Sequence, residues 1–221
     1  MLTLYDFELS AGCYAVRLML SILRVRYETV AVDIYPGADN QAEWFVKLNP
    51  EGTLPVLVDD GLTLTTVSGG LIHLARRYDG TGRWIPSTEP APCRQVLEWL
   101  DFARRLTGSS GVARTGVAFG LDADLPALQA EAHRLLRQLD EHLWFGEKQG
   151  RDWLVVDDHP TIADVALFPD VALCEEGGVS RQDYPAIRRW LDRVRRIDGF
   201  TVMSGVFPAA PPYSAPQASL R

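Results

Sequence analysis

Along the first eighty residues of the chain, stretches with a strand-like hydrophobic pattern alternate with stretches whose apolar residues have helical spacing. Residues 2–7 and 27–33 are apolar and β-branched over short stretches, which predicts strands. The stretch between them carries apolar residues at helical spacing, namely Val16, Met19, Leu20 and Leu23. A strand, a helix and a second strand in this order predict a right-handed β-α-β unit.

The same segment continues with a short helix at residues 43–48 and two strands at 55–59 and 62–65. Asp60 and Gly61 separate these strands, and Asp-Gly is a strong signal for a two-residue hairpin turn. A helix follows, with one apolar face formed by Leu71, Leu74, Ala75 and Tyr78. The predicted order is βαβαββα.

After residue 92 the patterns predict helices only. Apolar stripes mark two of them, at Leu128, Ala132, Leu135 and Leu139 and at Ile187, Trp190, Leu191 and Val194. Between them, Thr161 and Asp164 have the spacing of a capping box, which predicts a helix start, and Pro169 is expected to kink or shorten that helix.

We therefore expect an α/β domain at residues 1–80, a turn-rich linker at 81–92 and an all-helical bundle at 93–205. Residues 206–221 are rich in proline and poor in large apolar groups, which predicts a loose tail.

Charge and composition narrow the function. A net charge of −7 argues against nucleic acid and anionic membrane surfaces as partners, and no apolar run is long enough to span a bilayer. Met1 leads directly into the first strand without a cationic and apolar leader, so we expect a cytoplasmic protein. The three cysteines and four histidines show no ligand spacing, and no metal site is expected.

The most informative run is residues 49–57, where a turn places Pro55 at the start of a strand. A proline there cannot donate to the sheet, and an X-Pro bond is held cis at a cost of only about 0.5–1 kcal/mol. A cis Leu54-Pro55 bond would turn the amide and carbonyl of Leu54 outward, where an extended peptide could pair with them.

This organisation resembles the cytosolic glutathione transferase family, over about residues 1–205. Four motifs carry the resemblance, in family order: residues 9–17 after the first strand, 49–57, 68–72 at a helix start and 160–166. The first motif is more similar to bacterial and serine-type members than to tyrosine-type ones. The resemblance implies a thioredoxin-like N-terminal domain, a C-terminal helical domain, a homodimer and glutathione as co-substrate.

The resemblance also implies roles for individual residues. The hydroxyl of Ser10, at the start of the first helix, would donate a hydrogen bond to the glutathione thiolate. Leu54, with Thr53 and Pro55 beside it, would hold the cysteinyl backbone. Ser68 would receive the γ-glutamyl carboxylate at a helix start. Val67 departs from the family, which usually has an acid here to meet the α-ammonium group of the ligand.

Each role has a structural alternative. Ser10 and Ser68 are also ordinary helix-start residues. Cys13 is interpreted as a packed thiol rather than a catalytic one, and Tyr5 as a core or half-buried aromatic. In a dimer, Glu98 or Asp101 of a second copy could replace the missing acid at Val67, although a solvated helix face is the simpler interpretation of both.

The resemblance further implies that the first helix of the helical domain walls the pocket for the electrophile. The candidates on it are Phe102, Arg105, Leu106 and Arg114.

The leading hypothesis is a glutathione transferase, in which a stabilised thiolate attacks a small electrophile by addition, substitution or related peroxidase or isomerase chemistry. Two alternatives stay open from the sequence. One is a binding or regulatory protein with little glutathione chemistry, motivated by Val67. The other is a glutathione-dependent disulfide reductase that uses Cys13.

Overall fold

A four-stranded sheet forms the centre of the N-terminal domain. The computed structural model describes residues 1–86 and 90–203, so the prediction for the tail at 206–221 lies outside the described residues. The strands are β1 (Leu2–Asp6), β2 (Glu28–Ala31), β3 (Val56–Asp59) and β4 (Leu62–Leu64). Their order is β2-β1-β3-β4, with β1 parallel to β2 and the other two pairs antiparallel.

Three helices complete this domain: α1 (Ala11–Ile22), α2 (Glu43–Leu48) and α3 (Val67–Tyr78). A 3₁₀ turn, Asp39–Gln41, precedes α2. The predicted βαβαββα order is confirmed. The hairpin turn is confirmed as well. Asp60 and Gly61 have φ angles of 47° and 87°, and a two-residue type I′ hairpin turn requires a positive φ at both positions.

The alternation along β1 decides which helix covers which face of the sheet. Leu4 is fully buried in the main core, on the side of α1 and α3. Tyr5 points to the other face and packs in a smaller cluster around Phe45 of α2. Tyr5 is therefore the half-buried aromatic that the sequence predicts.

The helical domain contains α4 (Pro90–Leu106), α5 (Val112–Phe119), α6 (Leu125–Lys148), α7 (Ile162–Ala172) and α8 (Pro185–Val194). Both apolar stripes lie where predicted, on α6 and α8. The first helix starts at Pro90, inside the stretch assigned to the linker, because proline is tolerated in the first turn, where backbone N–H groups have no helical partner.

A π-helical turn, Thr107–Gly111, joins α4 to α5 and is absent from the sequence prediction. Arg114 therefore lies on α5 beyond this turn, rather than on the first helix of the domain. The backbone stays helical on both sides of the turn, so α4, the π-helical turn and α5 follow one another without a break.

Helix α7 lies at the centre of the molecule and contacts α1, α3, α4 and α8. The predicted capping box is present, since the backbone N–H of Thr161 donates to Asp164 Oδ2 at 2.8 Å and the Thr161 hydroxyl accepts from the N–H of Ala163 at 3.3 Å. Pro169 does not end the helix, which continues to Ala172. Among the described helices, none has the length and apolar character needed to cross a membrane.

Candidate active site

Gly12, in the first turn of α1, marks the point where three sequence motifs meet. A methyl group built on its Cα would lie 3.0 Å from Val67 Cγ2, 3.2 Å from Pro55 Cδ and 3.7 Å from the carbonyl oxygen of Leu54. The start of α1 therefore packs closely against the start of α3 and the turn before β3, and a methyl group at position 12 would require these neighbours to shift by a few tenths of an ångström.

Ser10 is the N-cap of α1, with extended backbone angles and a side-chain oxygen that accepts from the N–H of Cys13 at 3.2 Å. This capping bond uses a lone pair of the hydroxyl and leaves its proton free to be donated. Capping and donation to a thiolate are thus compatible, and the free N–H groups of the helix start favour negative charge nearby.

Every carbonyl of the turn that leads to Ser10 is held by a donor. The carbonyl of Phe7 accepts from the N–H of Ser10 at 2.9 Å. The next two carbonyls are bound by arginines, since Arg17 Nη2 donates to the carbonyl of Glu8 at 2.9 Å and Arg114 Nη1 donates to that of Leu9 at 2.7 Å. Hydrogen bonds from the N-terminal domain and from the helical domain therefore both hold this turn in place.

The two arginines differ in their other contacts. Arg17 forms an ion pair with Asp6 at the end of β1, and Arg114 forms one with Glu176 at 2.6 Å. The side chain of Arg114 is 7% exposed. Each guanidinium group is thus paired with a carboxylate and also holds a carbonyl of the turn before Ser10.

The Leu54-Pro55 peptide bond is cis, as the sequence predicts. In the described part of the chain, the amide and the carbonyl of Leu54 have no hydrogen-bond partner. The turn before it is held by the buried side chain of Asn49, whose Nδ2 donates to the carbonyl and hydroxyl oxygens of Thr53 at 2.8 and 3.0 Å. This turn presents the free backbone groups of Leu54 next to Gly12.

The start of α3 is capped by Thr66, whose hydroxyl accepts from the N–H of Gly69 at 3.0 Å. Val67 and Ser68 follow as the first two residues of the helix, and their N–H groups have no partner among the described residues. The Ser68 hydroxyl is likewise without a partner in residues 1–86 and 90–203. Three donors at a helix start form a suitable site for a carboxylate.

An open cleft of about 370 Å³ lies between the starts of α1 and α3 and the helical domain, and neither Ser10 nor Leu54 is among the residues that line it. Its N-terminal wall includes Gly12, Val67 and Ser68, and its other wall is formed by α4, the π-helical turn, α5 and α7. A larger groove of about 800 Å³ lies against Tyr78, Trp84 and Arg193, and Pro160 is the one residue of the four motifs that lines it.

Asp170 of α7 lines the same cleft. Its Oδ2 is 2.5 Å from the Thr107 hydroxyl, and its Oδ1 is buried without a hydrogen-bond partner among the described residues. Burial raises the pKa of Asp170 to about 6, although the bond to Thr107 and the charge of Arg114 act in the opposite direction. The cleft thus has one acidic group on a largely apolar wall.

Cys13 is fully buried, and its burial raises the pKa of the thiol to about 12. A thiol with this pKa has almost no thiolate at neutral pH and cannot act as a nucleophile. The structure therefore supports the interpretation of Cys13 as a packed thiol. Tyr5 packs against the aromatic rings of Trp44 and Phe45, on the face of the sheet opposite the main core.

The four candidates for the electrophile pocket are not brought together at the cleft. Leu106 is fully buried in the core, and Arg114 is occupied by Leu9 and Glu176. Phe102 and Arg105 line a separate depression, in which the Arg105 guanidinium lies over the Phe102 ring. They point away because Leu100, Ala103 and Arg104 lie on the side of α4 that lines the cleft.

Sequence reasoning missed Gly12 and Asp170. A glycine in the first turn of a helix is a detectable signal, because glycine is a poor helix former and is retained there when two backbones approach closely. Asp170 offers no such signal, since nothing in its neighbourhood along the chain predicts contact with the π-helical turn. Among the described residues, no cluster of side chains could hold a metal ion.

Comparison with known proteins agrees with this geometry. Residues 4–81 match the glutathione S-transferase N-terminal domain, and residues 122–193 match the glutathione S-transferase C-terminal domain. The crystal structure of a glutathione S-transferase from Pseudomonas fluorescens Pf-5 is 32% identical, with a TM-score of 0.81, and the match covers 91% of this chain and 98% of that one.

Two curated relatives differ in the activity that their names give. The chain is 26% identical to glutathione S-transferase verG of Clonostachys rogersoniana, over 82% of this chain and 78% of the relative. It is 29% identical to maleylacetoacetate isomerase of Pseudomonas aeruginosa, over 86% and 89% respectively. The chain therefore belongs to the glutathione S-transferase family and is a glutathione transferase, an enzyme that uses glutathione as its co-substrate.

Proposed function

We propose that Ser10 is the residue that stabilises the glutathione thiolate. The observation that carries this proposal is its position as the N-cap of α1, with the hydroxyl proton uncommitted and the preceding carbonyls tied to Arg17 and Arg114. The helix start favours the anion, and the hydroxyl adds a charge-assisted hydrogen bond. This assignment makes the enzyme a serine-type transferase.

The rest of glutathione is proposed to bind along the three segments that meet at Gly12. The free amide and carbonyl of Leu54 pair with the cysteinyl backbone, with Thr53 and Pro55 shaping that turn. The γ-glutamyl carboxylate binds the donors of Val67 and Ser68. Position 67 supplies no acid for the α-ammonium group, so we expect weak binding of glutathione.

The electrophile is proposed to enter the cleft between these segments and the helical domain. The thiolate sulfur attacks an electron-poor carbon, a new C–S bond forms, and the electron pair passes to a leaving group or to the rest of an activated double bond. The apolar wall, which includes Leu100 and Ala103, favours a small hydrophobic electrophile.

We further propose that the protein is a cytoplasmic homodimer. Support for an interface comes from two exposed leucines, Leu62 on β4 and Leu97 on α4, which are 48% and 47% exposed. Glu98 and Asp101 pair with arginines of their own helix, which supports a solvated face for both. Free cysteines at positions 13, 93 and 174 fit a reducing compartment.

Calorimetric titration with glutathione tests the binding site. The wild-type protein is expected to bind with a Kd in the high micromolar to millimolar range, and the Ser68→Ala variant is expected to bind several-fold more weakly. Equal affinity for the two proteins would contradict the assignment of Ser68. Sedimentation of the wild type and of a Leu97→Glu variant tests the dimer.

A further inference from the structure

The wall of the cleft carries a cationic side chain, the guanidinium of Arg104. Arg104 belongs to α4 of the helical domain and lines the cleft together with Val67 and Ser68, the first two residues of α3. Among the described residues that line the cleft, it is the only cation. The start of α3 and Arg104 therefore face the same space, one from each domain.

The helical spacing of α4 explains why Arg104 reaches this space. Leu100, Ala103, Arg104 and Thr107 all line the cleft, and their spacing of i, i+3, i+4 and i+7 places them on one face of the helix. Leu100 and Ala103 are buried, whereas the side chain of Arg104 is 75% exposed. Arg104 thus lies at the solvent edge of the face that lines the cleft.

The guanidinium of Arg104 has one edge in use and one edge free. Its Nε and Nη2 both donate to Asp101 Oδ1, at 3.3 and 3.1 Å. Nη1 has no hydrogen-bond partner in residues 1–86 and 90–203. A guanidinium has five N–H donors in a planar fork, so the edge formed by Nη1 and the second hydrogen of Nη2 can accept a carboxylate.

The donors at the start of α3 are all neutral. They are the N–H groups of Val67 and Ser68 and the Ser68 hydroxyl, and the basic residues of α3, Arg76 and Arg77, lie in its last turn instead. An anion held by these donors gains a charge-assisted hydrogen bond when a guanidinium approaches from the other side of the cleft. The helical domain therefore offers the positive charge that the start of α3 lacks.

We propose that Arg104 is a specificity-determining residue for glutathione, and that its free edge binds the γ-glutamyl α-carboxylate opposite Val67 and Ser68. This inference rests on the proposed function, because it takes the start of α3 as the site of the γ-glutamyl group. The bound carboxylate then joins the two domains of one chain. A thiol without this carboxylate makes neither contact and is disfavoured.

Two S-hexyl conjugates test the inference without requiring turnover. One is S-hexylglutathione, and the other has a 4-aminobutanoyl group in place of the γ-glutamyl group, so that it lacks only the α-carboxylate. Affinities are measured by calorimetry for the wild type, Arg104→Gln and Arg104→Lys. Arg94→Gln is the matched control, because Arg94 is an exposed residue of the same helix that pairs with Glu98 and lines a different depression.

In the wild type, the conjugate with the carboxylate should bind more tightly than the conjugate without it. Arg104→Gln should weaken the binding of S-hexylglutathione about fivefold, near the upper limit for an exposed ion pair, and leave the affinity for the analogue unchanged. Arg104→Lys keeps the charge but loses the planar fork, so its loss should be smaller. Arg94→Gln should bind both conjugates as the wild type does.

Two results would overturn the inference alone: unchanged binding of S-hexylglutathione by Arg104→Gln, or an equal loss of affinity for both conjugates, which would indicate a general effect on the cleft. Failure of the proposed function looks different. A wild type that binds neither conjugate has no glutathione site of this kind, and a wild type that binds both equally does not hold the carboxylate at α3. In both of these cases the inference fails together with the proposed function.

Discussion

Arg114 on α5 donates a hydrogen bond to the carbonyl of Leu9 at 2.7 Å, and this contact joins the helical domain to the turn that carries Ser10. The two residues are 105 positions apart in the sequence. Because Leu9 directly precedes Ser10, the orientation of the Ser10 hydroxyl depends on a residue of the other domain. Arg114 thus acts as a positioning residue in this account, rather than as a wall of the electrophile pocket.

Replacing Arg114 with Gln should impair catalysis more than folding. The variant loses the bond to Leu9 and a positive charge near the thiolate, so we expect kcat/KM to fall by roughly tenfold, as is typical for loss of a hydrogen bond to a charged group. The pKa of the bound glutathione thiol should rise, which a pH profile of kcat/KM measures.

The chain offers a matched control in Arg181. This residue also donates to a backbone carbonyl, that of Ala172 at 2.8 Å, and pairs with a glutamate, Glu175, at 2.5 Å. Arg181→Gln should lower the free energy of unfolding to a similar extent and leave the thiol pKa unchanged. Equal effects of the two variants on the pH profile would mean that Arg114 has only a structural role.

Gly12→Ala should weaken glutathione binding without unfolding the protein. The new methyl group would press on Val67 and Pro55 at 3.0 and 3.2 Å and separate the two segments that are proposed to hold glutathione. Alanine is also the better helix former by about 1 kcal/mol, which limits any loss of stability. Gly80→Ala is the control, since nothing lies within 4 Å of its added methyl group. Unchanged affinity in Gly12→Ala would show that the three segments do not act together.

Val67→Glu should tighten glutathione binding. The added carboxylate would meet the α-ammonium group, and a hydrogen bond to a charged group contributes about 1.5–3 kcal/mol, or roughly ten- to a hundredfold in Kd. Val67→Gln has the same size without the charge and should give much less. If Val67→Glu brings no gain, an acid from elsewhere already meets the ammonium group, and Glu98→Gln and Asp101→Asn would then weaken binding.

The pH dependence of stability should report on Asp170. Its pKa is raised to about 6 in the folded state, from 3.8 for an unburied aspartate, so the folded protein binds the proton more tightly than the unfolded chain does. The stability contributed by this group is therefore lost as the pH rises from about 4 to 6. Asp170→Asn removes the effect, and at pH 7 the variant should be more stable than the wild type by up to about 3 kcal/mol.

Chemical denaturation at pH 4 and pH 7 measures this difference. The gain of Asp170→Asn over the wild type should be present at pH 7 and absent at pH 4. A constant difference at both pH values would show that the carboxyl group is not titrated in this range.

Local patterns made most of the fold predictable. The hairpin at Asp60-Gly61, the short helix α2 and the capping box of Thr161 and Asp164 each depend on residues within a few positions of one another. Short-range hydrogen bonds and hydrophobic periodicity determine such features, so the sequence shows them directly.

The parts of the site that escaped prediction depend on distant contacts. Asp170 and Thr107 are 63 positions apart, and the π-helical turn that brings them together has no sequence signal of its own. Arg114 was assigned to a pocket because it was expected on the first helix of its domain. The turn at residues 107–111 moves it to α5, where it faces Leu9 instead.

Ser10 is proposed to stabilise the glutathione thiolate. The most direct test of this proposal is a pH titration of thiolate absorbance for glutathione bound to the wild type, Ser10→Ala and Ser10→Thr. The bound-thiol pKa should lie near or below about 7 in the wild type, against a reference of about 8.5 for a free thiol. The pKa should return to above about 8 in Ser10→Ala and stay low in Ser10→Thr, which keeps both the hydroxyl and the helix cap. A bound-thiol pKa that is equally low in Ser10→Ala would show that the Ser10 hydroxyl does not stabilise the thiolate.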